Sequence, residues 1–317
     1  MARIGFGCGR LRGGVEESHS RRLLDTALDC GIRYFDTAPS YGGGASERIL
    51  GQGLRGLRNQ VQLCTKVGLP GSAPTAAATL RALIFTTMRT ILPDSALGML
   101  KNARRVQTRT IPTERKYGDF DVKSTRSSVQ QSLERLETEY LDCLMLHEPR
   151  VSDPTQEVAQ LLGELVREGK AVRLGVGTYA QLDDLPAYGD VAQFAIGPAV
   201  FTSSGSRTLI GHGLLRGLDA EAVERCLISA GIFDTMPALR KYLSDPVGIS
   251  ALLLNAVLFG TGIGRVLVST DSPTRLREFV STAKNMFGET ESGYGDDCRA
   301  QLRDAAHRYF LAKEANR

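Results

Sequence analysis

Gly31-Ile32-Arg33-Tyr34-Phe35-Asp36-Thr37-Ala38-Pro39-Ser40-Tyr41-Gly42 reads as a short buried strand, Ile32 to Phe35, that ends on an acidic residue and passes into a Gly/Pro-rich loop presenting a tyrosine five residues later. A helix follows near Ser46, where a small polar cap and the adjacent Glu47 suit the free N-terminal amides. Before the strand, Leu23, Leu24, Ala27 and Leu28 recur at helical spacing within Ser18 to Cys30, and Gly31 ends that helix. Ionisable groups just past the carboxyl end of a strand are where barrel and open-sheet enzymes place their chemistry.

The same rhythm continues on both sides. Strand-like runs fall at Arg3 to Cys8, Val61 to Val67, Leu141 to Leu146, Ala171 to Val176, Ala192 to Ile196, Thr208 to Ile210 and Arg265 to Val268. Helical patterns alternate with them: Ser46 to Leu54, Lys123 to Leu136, Thr155 to Glu168, Asp219 to Ala230, Asp245 or Pro246 to Leu258, Pro273 to Lys284 and Asp296 to Ala312. With the opening strand this makes eight, and eight strand-like segments alternating with helices predict an α/β fold, a closed (β/α)8 TIM barrel spanning 1–317 as one domain. Two places break the rhythm. Residues 69–121 form a long excursion with a helix-like piece at 76–91 and a basic stretch, Lys101 to Lys116, which reads as a loop or lid insertion whose charge meets either solvent or an anionic substrate. Between Ile196 and Thr208 lie only 11 residues, rich in Gly and Ser. A parallel crossover needs about a dozen and normally a helix, so that helix is missing or reduced to a turn, or one strand is misassigned.

Composition narrows the function classes. A net charge of +4 from 39 basic and 35 acidic residues lacks the concentrated basic stripe of a nucleic-acid binder. Six cysteines are scattered without close pairs, as expected for buried free thiols in a reducing compartment and not for a disulfide framework or zinc site. The apolar run Ala251 to Phe259 is too short to span a bilayer, and no charged n-region with an apolar run opens the chain. A cytoplasmic protein without metal or membrane partner is the expectation.

Asp36, Tyr41, Lys66 and His147 all fall at or just beyond strand ends on what should be one rim. That set suits carbonyl reduction, because hydride arriving at a carbonyl carbon leaves charge on oxygen that must be protonated. A tyrosine near its free pKa of about 10 exchanges protons poorly, and a nearby ammonium favours its phenolate. Asp36 would hold Lys66, His147 would donate to the substrate oxygen, and Tyr41 would deliver the proton.

These residues resemble the aldo/keto reductase family. Phe35 to Gly42 with Ser46-Glu47 and Leu50-Gly51 is similar to its first signature, and Thr65-Lys66 and Leu144-Met145-Leu146-His147 match its lysine and histidine contexts. The resemblance implies a barrel binding NADPH/NADP+, with NADH as the other option, at the carboxyl rim without a Rossmann fold. It implies Tyr41 as general acid tuned by Lys66 and His147, with Asp36 as fourth member. It places Thr178 and Gln193 on the nicotinamide carboxamide. It sets Gly211 at a position where an aromatic often stacks, with His212 beside it as a substitute and Leu214 following. Ser269, Thr270, Ser272, Arg275 and Glu278 fall in the adenosine-phosphate segment, Arg275 reading the 2'-phosphate. Gly177 stands where the family has serine. The expected partner is a small carbonyl or alcohol substrate. A nicotinamide-binding sensor with little turnover, and an epimerase or eliminase that recycles bound cofactor, are the alternatives.

Overall fold

Strands β1 (Ile4–Gly7), β2 (Tyr34–Asp36), β3 (Gln62–Val67), β4 (Cys143–His147), β5 (Leu174–Gly177), β6 (Val191–Ala195), β7 (Thr208–His212) and β8 (Ile263–Val268) run parallel, pair in sequence order and close when β8 meets β1. The computed structural model describes residues 3–71, 116–180, 182, 185–201, 206–291 and 296–315. The helix-like piece at 76–91 and the basic residues Lys101, Arg104, Arg105, Arg109 and Arg115 lie outside them. The eight expected strands are the eight observed, with shifted ends. Ala171 makes only an isolated bridge to Leu141 before β5 begins, and β7 runs on to His212 because Ala195 of β6 pairs with it.

Alternation along each strand decides what faces the barrel interior. Tyr34, Cys64, Cys143, Met145, Val191, Ile210 and Leu267 form an interior cluster of their own. Two residues further toward the carboxyl end, the same faces present Asp36, Lys66, His147, Gln193, His212 and Ser269. One layer of packed side chains therefore becomes the floor under a layer of polar ones.

The outer layer is helical: α1 (Glu17–Asp29), α2 (Ala45–Gly53), α3 (Val122–Arg135), α4 (Gln156–Arg167), α5 (Ala220–Ser229), α6 (Pro246–Gly260), α7 (Pro273–Glu291) and α8 (Asp296–Ala315). In α4, Val158, Leu161, Leu162 and Leu165 recur at the helical period and are buried, while Thr155 accepts the Val158 N–H as its cap. Asp121, Asp219 and Asp245 cap α3, α5 and α6 in the same way. Ser46 does not cap α2, contrary to expectation. The helix starts at Ala45, and the Ser46 hydroxyl instead bonds the Thr37 hydroxyl at 2.8 Å and the Cys8 carbonyl at 3.1 Å. Glu47, fully buried, accepts from Thr65 Oγ1 and Arg135 Nε, each at 2.7 Å. This pair ties the ends of β1, β2 and β3 to the loop that carries Tyr41.

The described part of the β6–β7 crossover is a single 3-10 turn, Pro198–Phe201. Its Phe201 ring stacks on His307 of α8 at 5.2 Å and packs on Phe310, and Arg303 donates to the Phe201 carbonyl. The carboxyl-terminal helix thus seals the place a crossover helix normally covers. It also packs along α6, whose fifteen residues are almost wholly buried and apolar on every face.

Candidate active site

Lys66 is 1% exposed and would not keep a charge there unpaired. Its Nζ donates to both Asp36 carboxylate oxygens at 2.7 Å, to the Thr37 carbonyl at 3.0 Å and toward Tyr41 Oη at 3.5 Å. Burial pulls the lysine pKa down, but Asp36 and the other groups around it more than offset this, and the net shift is upward. Gln193 Nε2 donates to Asp36 Oδ2 at 3.2 Å, so the carboxylate is held from two sides.

Tyr41 enters from the loop after β2, its N–H bonded to the Ala38 carbonyl at 3.0 Å. Burial raises its pKa above the usual tyrosine range, against the pull of the Lys66 ammonium, so the phenol keeps its proton at neutral pH. His147, the last residue of β4, meets the Tyr41 ring edge-on at 5.9 Å. Burial first, then Lys66 and His212, push its pKa down to about 3, and the imidazole is neutral.

The tautomer of His147 follows from its surroundings. Nδ1 is buried and has no hydrogen-bond partner among the described residues. An orphaned N–H costs more than an orphaned lone pair, so the proton belongs on Nε2, which becomes a donor toward the cavity.

The four candidate catalytic residues line a cavity of about 460 Å³ together with Thr178, Gln193, His212, Leu214 and Ser269. Gly211 does not line it. Strand alternation turns Gly211 outward, and a Cβ there would lie 2.6 Å from Ile196 Cγ1, so the position has no room for an aromatic. His212 is the member of the pair that faces inward; burial lowers its pKa to about 4, and its Nε2–H donates to the Thr178 carbonyl at 2.7 Å. The Thr178 hydroxyl donates to Glu148 Oε2 at 2.8 Å and accepts from Ala180 N–H at 3.0 Å. Thr270 and Ser272 lie beyond the cavity, where their hydroxyl oxygens accept the Ser272 and Arg275 N–H groups at the start of α7. Arg275 and Glu278 are exposed on that helix.

Arg10, Glu148, Tyr179 and Arg216 also line the cavity, and strand-end reasoning did not single them out. Glu148 carried the one available signal, as an acidic residue directly after His147. All six cysteines are free, and burial pushes the Cys8 and Cys64 thiols upward, away from nucleophilic thiolates. Among the described residues no cluster of His, Cys, Asp and Glu is placed to hold a metal ion. No described helix is long and apolar enough to cross a membrane.

Two features of the floor fit a nicotinamide. Gln193 Oε1 is buried in the cavity wall without a partner among the described residues, an acceptor ready for an amide N–H. Gly177 leaves open a place where a Cβ would come within 3.2 Å of both Gln193 Oε1 and Lys66 Cε.

Comparison with known proteins finds relatives of this chain. The chain is 30% identical over 194 residues to the Bacillus subtilis aldo-keto reductase YhdN, covering 59% of this chain and 46% of that protein. It is 27% identical over 188 residues to a 6-dehydroglucose reductase of Agrobacterium fabrum, covering 58% and 52%. The chain thus spans about half the length of the curated relatives it matches. A Klebsiella pneumoniae aldo/keto reductase structure in complex with NADP and acetate superposes with a TM-score of 0.56 at 20% identity, over 95% of this chain and 89% of that one, a likeness of fold. The model of the aldo/keto reductase family matches residues 3–189, more than half the length, and the chain belongs to that family.

Proposed function

We propose that the protein is a nicotinamide-dependent oxidoreductase that interconverts an aldehyde or ketone with its alcohol. The observation that carries this reading is the Lys66 ammonium, clamped by both oxygens of Asp36 and lying 3.5 Å from the Tyr41 hydroxyl beneath an open cavity. When bound, the cofactor supplies or accepts the hydride. Gln193 Oε1 would hold its carboxamide, and Gly177 would leave it room.

The chain's own residues handle the proton. His147 Nε2–H donates to the carbonyl oxygen and orients it. Tyr41 gives up its proton as charge develops on that oxygen, and Lys66, already paired with Asp36, lowers the cost of the phenolate left behind. In the reverse direction the phenolate takes the alcohol proton. The interior layer of Cys64, Cys143 and Met145 closes the floor below and keeps water from entering from the opposite end.

NADP(H) is the favoured cofactor. Arg275 on the first turn of α7 matches the family's 2'-phosphate reader, Ser269 lines the cavity, and the Klebsiella neighbour was crystallised with NADP. A polyhydroxylated, sugar-like carbonyl is the finer reading of the substrate. Polar groups of Arg10, Tyr179 and Arg216 border the cavity, and one relative is named for a dehydroglucose substrate. A small-molecule enzyme without nucleic-acid or membrane partners, working in the cytoplasm, is the setting this reading implies.

Titration with NADPH and NADH, followed by turnover against sugars, ketones and aldehydes, tests the proposal. Tyr41→Phe should reduce carbonyl turnover by at least about 100-fold while leaving cofactor affinity within about twofold, because only the proton donor is lost. A folded protein that binds neither cofactor, or a phenylalanine variant that turns over as fast as the parent, would defeat the reading.

A further inference from the structure

Glu148 lies one residue beyond β4 with φ of 53°, a left-handed backbone that residues other than glycine seldom adopt. Such a conformation persists only where the surroundings over-determine it, and here they act from four directions. Its N–H donates to the Gly177 carbonyl and its carbonyl accepts the Gly118 N–H, both at 2.8 Å. Its carboxylate accepts the Thr178 hydroxyl at 2.8 Å and the Tyr179 N–H at 2.6 Å. The side chain is 5% exposed, yet it borders the cavity.

What Glu148 holds in turn holds more. The Thr178 carbonyl accepts from His212 Nε2–H at 2.7 Å. The Tyr179 ring packs edge-to-face with His212 at 5.1 Å, and the Arg216 guanidinium lies 4.8 Å from the Tyr179 ring centroid. One carboxylate just past β4 therefore orders groups at and just beyond the ends of β5 and β7, and together they make one wall of the cavity.

We propose that Glu148 is the positioning residue for this wall, fixing Thr178 and Tyr179 and, through them, His212 and Arg216. The cofactor part of its test rests on the functional reading above. With the Thr178 proton directed to Glu148 and a lone pair taken by Ala180, that hydroxyl is not a donor to a bound carboxamide. The Thr178 contribution is thus to the shape of the wall, and Gln193 is left as the side chain that recognises the amide.

The chain contains no tryptophan, so Tyr179→Trp installs a single fluorescent reporter in the wall while leaving intact the backbone N–H that Glu148 holds. Two changes are compared on that background. Glu148→Gly removes the carboxylate and suits the left-handed backbone, so the loop itself can keep its path. Glu148→Gln keeps one acceptor. Tyr179 is 56% exposed, so the reporter reads mobility and not access: without cofactor, its steady-state fluorescence anisotropy should fall by about a third or more with Glu148→Gly and by less with Glu148→Gln, as the wall loosens. In the parent sequence, Glu148→Gly should weaken NADPH binding about tenfold while changing the single-turnover hydride-transfer rate at saturating cofactor by less than about threefold.

Unchanged anisotropy in both variants would overturn the proposal, whatever the cofactor does. A fall in transfer rate at unchanged affinity would overturn it too, since Glu148 would then act on the chemistry. Failure of the parent protein to bind either cofactor defeats the functional reading instead, and the anisotropy comparison still decides the role of Glu148.

Discussion

A single lysine shows how the site is held at the scale of one residue. Lys66 is buried among groups that would expel its charge, and only the bidentate contact with Asp36, the Thr37 carbonyl and the phenol of Tyr41 make the ammonium tolerable. Removing Asp36 would leave that charge stranded, whereas removing Tyr41 would not. Outside the cavity lining, Arg275 offers an exposed guanidinium on the first turn of α7. Arg275→Ala should raise the NADPH dissociation constant by about tenfold and leave that for NADH within about twofold, because a charge-assisted contact to phosphate contributes roughly 1.5–3 kcal/mol. Equal losses for the two cofactors would show that Arg275 supports the helix and does not read the phosphate. Asp36, Lys66 and His147 were legible because each lies at or next to the end of a buried apolar run. Glu148 was hidden because a left-handed backbone at one residue is not encoded by any local pattern that distinguishes it from an ordinary loop carboxylate.

At the scale of elements, the short β6–β7 crossover and the final helix are one design. A crossover of 12 residues is too short to cover the outside of the barrel with a full helix of its own, and α8 brings Phe310 and His307 to the Phe201 ring instead. Phe201 is 2% exposed. Phe201→Ala should lower unfolding free energy by about 3–5 kcal/mol, read as a shifted denaturation midpoint, with Phe201→Leu costing distinctly less. An alanine variant as stable as the parent would mean that α8 is not the seal described. The sequence made the shortage of chain visible but not its remedy, since helical spacing in 296–312 says that a face is apolar and not which neighbour it meets. Gly211 teaches the same lesson. Its place in the motif suggests the cofactor, while the alternation of β7 and the bulk of Ile196 turn it to the outer layer.

For the whole molecule, closure of the barrel carries the electrostatics with it. His147 and His212 are buried in their neutral forms, with pKa values lowered to about 3 and about 4. Unfolding returns both to about 6.5, so below that pH the unfolded chain binds more protons and stability falls as the pH falls. The contribution is fully present above about pH 6.5 and is lost progressively toward pH 3–4. Unfolding free energies measured from pH 7 down to pH 4 should decline, and replacing both histidines with asparagine should flatten much of that decline. Parallel curves for the two proteins would assign the acid sensitivity to other groups. We also propose that the barrel unfolds as one domain, since α7 packs against α1 and joins the two ends of the chain in one outer layer.

The order of strands and helices, and the candidate quartet at the strand ends, were written in local patterns. Apolar runs of four to seven residues, helical periods and ionisable residues at their boundaries are properties of neighbouring residues, and a parallel barrel repeats them eight times. The irregular crossover was legible for the same reason, as a simple shortage of residues. What needed the folded chain were the relations between strands: that Asp36 and Lys66 meet with both oxygens, that His147 Nδ1 is left without a partner among the described residues, that Gly211 faces outward, and that Glu148 links β4 to the ends of β5 and β7. Those relations depend on barrel register and on side chains far apart in sequence, and no window along the chain contains them.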